Sequence, residues 1–175
     1  IKEIKRRTNY FVTFCGRYYV NPKYSITSIF NVVKAMQSLP VVHDKDPSAP
    51  LAKLLGYLAV DPYTPLLSDY VRAVFRAYRY DVNHPRVRKL MNRDRDLVYK
   101  VNQGPYPYEQ GDNNNVIRVI AHMFDVDPAT ITSLCDRLNA AHTPQDIKDI
   151  PKLAIVLEPE QSDLLFVGES TTKNG

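Results

Sequence analysis

The run YFVTFCGRYYV over residues 10–20 limits this chain more than any other stretch, because two β-prone segments are separated by Cys-Gly alone. Aromatic and β-branched residues on both sides of a two-residue break favour a tight hairpin, and Gly16 supplies the backbone freedom the turn requires. Strands are predicted over residues 10–14 and 17–20. Ahead of them, residues 1–7 carry charges at helical spacing. The chain opens at Ile1 without an initiator Met, so the parent protein is expected to begin upstream.

The rest of the pattern is helical. Ser25 is predicted to cap a helix whose apolar positions Ile29, Phe30, Val33 and Met36 recur at the 3.6-residue period until Pro40. Ser48 opens a second helix carrying Leu51, Leu54, Leu55 and Leu58, which must stop before Pro62. Leu67, Tyr70, Val71, Val74, Phe75 and Tyr78 form the widest apolar stripe and the firmest helix of the sequence. Residues 80–102 are dense in charge and are predicted to be a basic loop with one helical turn. The connector QGPYPYEQGDNNN leads to a helix capped by Asp112 or a following Asn, with Val116, Ile117, Ile120, Met123 and Phe124 inward. Asp127-Pro128 starts another helix, bearing Ile131, Leu134, Cys135 and Leu138, and Thr143-Pro144 starts a short one. LAIVL at 153–157 is predicted as an edge strand, followed by an acidic tail over 158–175. The fold class is mainly α with an N-terminal β-hairpin.

Charge is divided along the chain. Residues 1–100 hold 18 Lys and Arg against 8 acids, whereas residues 101–175 hold 5 against 11. A basic front half fits a polyanion such as nucleic acid, and a solvated, unevenly charged surface is the plainer alternative. Arg72, Arg76 and Arg79 follow one another at i, i+4 and i+7 along one side of the predicted third helix, where they could track phosphates or simply face solvent.

Active-site patterns are missing from the sequence itself. Asp44 and Asp46 before Pro47 look like turn formers, and Asp125 and Asp127 like caps. His43, His84, His122 and His142 lack ligand spacing, and no phosphate-binding glycine loop occurs. Cys15 and Cys135 stand far apart without further cysteines, which fits a reduced compartment, and Cys135 falls on an apolar stripe as a small hydrophobe. No apolar run approaches the ~20 residues of a membrane helix.

In their order, YFVTFCGRYYV, then GYLAVDPYTPLLSDYVRAVFRAYR, then GPYPYEQGDNNNVIRVIAHMFDVDPATITSLCDRL resemble the C-terminal part of the RNA-dependent RNA polymerases of nodavirus-like positive-strand RNA viruses. The resemblance runs over about residues 8–157. It implies that residues 1–22 are the end of the palm with a motif E-like hairpin, residues 23–157 a helical thumb, and 158–175 a flexible tail. It further implies RNA template and product duplex as partners, together with the palm and fingers of the same polymerase. The catalytic aspartates and their Mg2+ would lie upstream, with no cofactor held here, so this fragment alone is expected to be inactive. The setting implied is the host cytoplasm, in replication complexes tied to membranes through other parts. Under that resemblance Cys15, Gly16 and Arg17 would hold the nascent strand or priming nucleotide, and Lys34, Arg72, Arg76 and Arg79 would line the duplex exit path. For Arg17 the alternative is a pair with an acid of the palm. Two rival readings are a freestanding helical RNA-binding or scaffold module of a replication complex, and a protein-contact role for the arginine face.

Overall fold

The computed structural model of this protein describes residues 11–38, 48–93 and 95–150. The predicted segments at 1–7, 153–157 and 158–175, and Asp44 and Asp46, lie outside the described residues.

A three-stranded antiparallel sheet opens the molecule: β1 (Val12–Phe14), β2 (Arg17–Tyr19) and β3 (Ser28–Phe30), in the order β1-β2-β3. Phe14 pairs with Arg17 across the turn, and Cys15 and Gly16 between them have φ of 51° and 77°. Positive φ at both turn residues matches the twist of the flanking strands, which is why a two-residue connection closes this hairpin. Side chains alternate across the sheet. Phe11 and Tyr18 meet at 5.4 Å between ring centroids, and Phe11 also touches the His122 ring, while Ile29 is fully buried. Arg17, Ser28 and Phe30 face the opposite way.

β3 corrects the expectation of a helix from Ser25. The β-branched alternation of Ile26-Thr27-Ser28-Ile29 suits a strand, and β2 offers it a partner with Tyr18 opposite Ile29. Ser25 is engaged elsewhere, its Oγ bonded to the carboxylates of Glu109 and Asp112. The helix starts later, as α1 (Val32–Ser38), with the Asn31 side chain accepting the Lys34 N–H at 3.0 Å.

Helices α2 (Ala49–Val60) and α3 (Leu67–Tyr78) stand where the periodicity puts them. Ser48 occupies the start of α2, although its side chain makes no cap bond there. Along α3, Leu67, Tyr70, Val71, Val74, Phe75 and Tyr78 are all buried, and burying a large apolar side chain contributes about 1.5–3 kcal/mol. The helix ends as Arg79 turns into the left-handed region at φ 58°.

The predicted basic loop is instead two helices, α4 (Pro85–Arg93) and α5 (Arg95–Gln103), packed on each other and on α2. Val87 and Leu90 are buried and Met91 is partly so, giving α4 a narrow apolar seam. The His84 Nδ1 accepts the Arg86 N–H at 3.1 Å just ahead of Pro85, so the start of α4 is capped. After an extended stretch and a 3₁₀ turn (Gln110–Asp112) come α6 (Asn113–Phe124), α7 (Pro128–Ala140) and α8 (Pro144–Lys148). Asp112 and Asp127 hold the cap positions of α6 and α7 without side-chain cap bonds. Thr143 and Asp146 form a reciprocal capping box at α8. Packing of α3 against α2, α7 and α8, and of α6 against α7 and α1, joins these elements into one buried apolar cluster.

Candidate nucleic-acid interface

Behind the Cys15-Gly16 turn lies a cleft lined on the far side by Gly56, Tyr57 and Asp61 of the α2 end, Tyr99 of α5, and Tyr106. Arg17 crosses its floor. Its Nη1 donates to Asp61 Oδ2 at 2.9 Å and its Nη2 to Asp61 Oδ1 at 2.8 Å, a two-pronged fork onto one carboxylate. Nη2 also donates to the Ser28 carbonyl at 2.8 Å and Nε to Ser28 Oγ at 3.1 Å. The guanidinium carbon sits 3.8 Å above the centre of the Tyr106 ring, within cation–π range.

Arg17 is only 5% exposed and Asp61 4%. Of the two roles considered for Arg17, the structure therefore displays the ion pair, and the acid is Asp61 at the end of α2 in this same chain. Thr64 Oγ1 donates to Asp61 Oδ1 at 3.2 Å, and the Asp61 N–H donates to Tyr57 O at 2.8 Å. Tyr106 is fixed in turn, its N–H donating to Val60 O at 3.2 Å. Hence the hairpin is bolted to α2 and to the connector before α6. Cys15 and Gly16 are exposed at the mouth.

The other four predicted residues do not line this cleft. Lys34 is exposed on α1. Arg72 is exposed and donates to Pro62 O at 2.7 Å. Arg76 reaches across to α7, donating to Ala141 O at 2.9 Å and Leu138 O at 2.8 Å, and so caps the carbonyl end of that helix. Arg79 lies beyond the last turn of α3. Three guanidinium groups in one row are thus not what α3 presents: Arg76 is tied into the fold.

The sequence did not single out Asp61, Tyr57, Tyr99 or Tyr106 for this cleft, nor Ser28 as a partner of Arg17. Asp61 sits inside the GYLAVDPYTP signature, but nothing in the sequence links it to a residue 44 positions earlier. A second polar cluster gathers Ser25, Thr27, Glu109 and Asp112, with Thr27 Oγ1 accepting the Glu109 N–H at 2.8 Å. Burial pushes the Asp112 carboxyl up, yet hydrogen bonds from Ser25, Thr27, Asn21 and Asn115 outweigh it and hold the group below its ordinary value. Cys135 is pushed upward first by burial and then by the charge of Asp69, so it stays a thiol. Among the described residues no group of three or more His, Cys, Asp or Glu could hold a metal ion. Among those residues, no helix is long and apolar enough to cross a membrane.

Comparison with known proteins gives consistent relatives. The RNA-directed RNA polymerase of Macrobrachium rosenbergii nodavirus is 28% identical over 145 residues, 79% of this chain and 14% of the relative. That of Nodamura virus is 31% identical over 136 residues, 73% and 13%, and that of Flock house virus 28% over 134 residues, 73% and 13%. The chain is similar to one segment of the nodavirus RNA-directed RNA polymerases. This bears out the resemblance drawn from the three sequence signatures. The chain spans 13 to 15% of the length of the curated relatives it matches. No protein-family model matches it, and no solved structure matches significantly.

Proposed function

We propose that this chain is the hairpin-and-thumb part of a viral RNA-directed RNA polymerase, where it seats nascent RNA and lines the path of the duplex product. The observation that carries the reading is a hairpin held rigid from behind by Arg17 and Asp61, in a chain similar to nodavirus polymerases over most of its length.

A nucleotide-joining reaction depends on the 3′-hydroxyl lying in near-attack geometry, and small misplacements there are costly. A braced turn suits that task. The backbone at Cys15 and Gly16 approaches the RNA, and Arg17 acts as a positioning residue through the turn, since its own donors point inward. Lys34 and Arg72 meet phosphates by charge, and Arg79 adds to that field. Arg76 serves chiefly to keep α3 and α7 together. Duplex recognition of this kind follows backbone and shape and not base identity. The metal-dependent chemistry belongs to the palm of the polymerase, and no step of it is assigned to residues described here.

Template-directed primer extension tests the proposal. The complete polypeptide that carries this segment should extend a primed RNA, and the 175-residue chain alone should bind RNA without extending it. RNA binding with no extension by the complete polypeptide would overturn the polymerase reading and favour a freestanding RNA-binding module.

A further inference from the structure

The basic stretch that looked like a loop folds into a surface with a definite shape. Residues 83–93 contain Arg86, Arg88, Lys89 and Arg93 and not one acid. Because α4 turns Val87 and Leu90 inward, Arg88, Lys89, Asn92 and Arg93 are left on its exposed side. Together with Asn83 and Pro85 they line an open groove that carries three cationic side chains, Arg88, Lys89 and Arg93. Asn83 Oδ1 accepts from Arg88 Nη2 at 2.8 Å, which holds that guanidinium at the groove. Lys89 and Arg93 stand at i and i+4, a like-charge pair that works against the helix.

Helix α5 links this surface to the hairpin cleft, since its residues line a groove on each side. Arg88 and Asn92 also line the groove between α4 and α5, facing Val98, Val101 and Asn102. Successive residues of an α-helix are about 100° apart around its axis. Arg95, which is exposed, therefore projects between the Val98 and Asn102 side and Tyr99, and Tyr99, 66% exposed, lines the cleft behind the Cys15-Gly16 turn. From the turn the path runs over an aromatic ring, then one arginine, then the donor-rich face of α4.

We infer that the α4–α5 face, carrying Arg88, Lys89, Arg93 and Arg95, is the phosphate-binding track for the RNA strand that leaves the hairpin. The inference rests on the polymerase reading for the identity of the strand, and on the geometry for its place. Arg88, Lys89 and Arg93 bind backbone phosphate without regard to base, and Tyr99 offers a stacking face at the point where the strand leaves the turn.

The test is direct binding of a labelled RNA duplex of about 16 base pairs, followed by fluorescence anisotropy between about 50 and about 200 mM salt. The complete polypeptide is compared with its Arg88→Gln/Lys89→Gln/Arg93→Gln form. Expected are a weaker Kd on every sequence tried and a salt slope smaller by about 3, near one unit for each lost phosphate contact. Arg88→Lys/Arg93→Lys should keep most of the slope. Lys89→Glu alone gives a second measurement should the triple form fold poorly, with a larger loss than Lys89→Gln expected. An unchanged slope and Kd in a folded triple variant would overturn the inference. So would loss of binding to a synthetic peptide of residues 158–175 with duplex binding intact, since the face would then be an acidic-peptide site. Primer extension separates the two levels: absent extension with the salt slope still lowered defeats the polymerase reading and leaves the track in place.

Discussion

Arg17 is where charge matters most to this fold. A guanidinium and a carboxylate taken out of water hold together only through good geometry and further hydrogen bonds, and the fork onto Asp61, the two bonds to Ser28 and the Tyr106 ring supply both. Removing one partner strands the other. Arg17→Ala should lower the unfolding free energy by about 3–5 kcal/mol, read from the urea midpoint of the chain, and Arg17→Lys should recover only part, because an ammonium cannot make the fork. Arg17→Met with Asp61→Leu should return most of the stability. A loss below about 1 kcal/mol for Arg17→Ala, the range of an exposed pair, would show that the brace is not what fixes the hairpin. Both partners stand within the two signatures that first drew notice, YFVTFCGRYYV and GYLAVDPYTP, yet their pairing was not legible in them. An arginine next to a turn looks the same in sequence whether it points outward or is folded beneath.

Elements were legible in proportion to how much apolar surface they bury. The stripe of α3 has six large inward residues and stands where expected. By contrast α4 commits only Val87, Leu90 and Met91, a seam too thin to show through its charges, and β3 is three residues long and gains its stability from β2. The start of α4 was nevertheless marked, since His84 ahead of Pro85 is a capped beginning. The extended stretch after α5 has its own signal in Gly104, followed by a cis peptide to Pro105. A Cβ at Gly104 would lie 2.7 Å from both Ala59 O and Val60 Cα, backbone atoms of α2 that cannot swing aside. Gly104→Ala should therefore force the connector off α2, at about 1–3 kcal/mol for such overpacking, and loosen Tyr106 over Arg17. Gly111→Ala meets nothing within 4 Å and should leave stability nearly unchanged. Thermal unfolding of the two variants side by side decides the matter, and equal melting temperatures would contradict this packing.

At the scale of the whole molecule, the exposed cations Arg88, Lys89, Arg93 and Arg95 of α4 and α5 belong to the basic first hundred residues. The sheet contributes the other exposed feature. Among the described residues β1 is an outer strand, and Val12 and Phe14 on it are 51% and 66% exposed. An apolar strand with an open edge is a template for pairing with another chain. In a polymerase that edge would lie against the palm, so the chain by itself carries the consequence. Its weight-average mass in sedimentation velocity should rise above 20.1 kDa with concentration. Val12→Lys with Phe14→Thr, which places a charge on the edge and removes the aromatic ring, should hold it at the monomer mass without shifting the melting temperature, as neither side chain is part of the core. A wild-type chain that stays monomeric at high concentration would mean that the β1 edge is protected, and the docking face toward the rest of the polymerase would then have to lie elsewhere on the molecule.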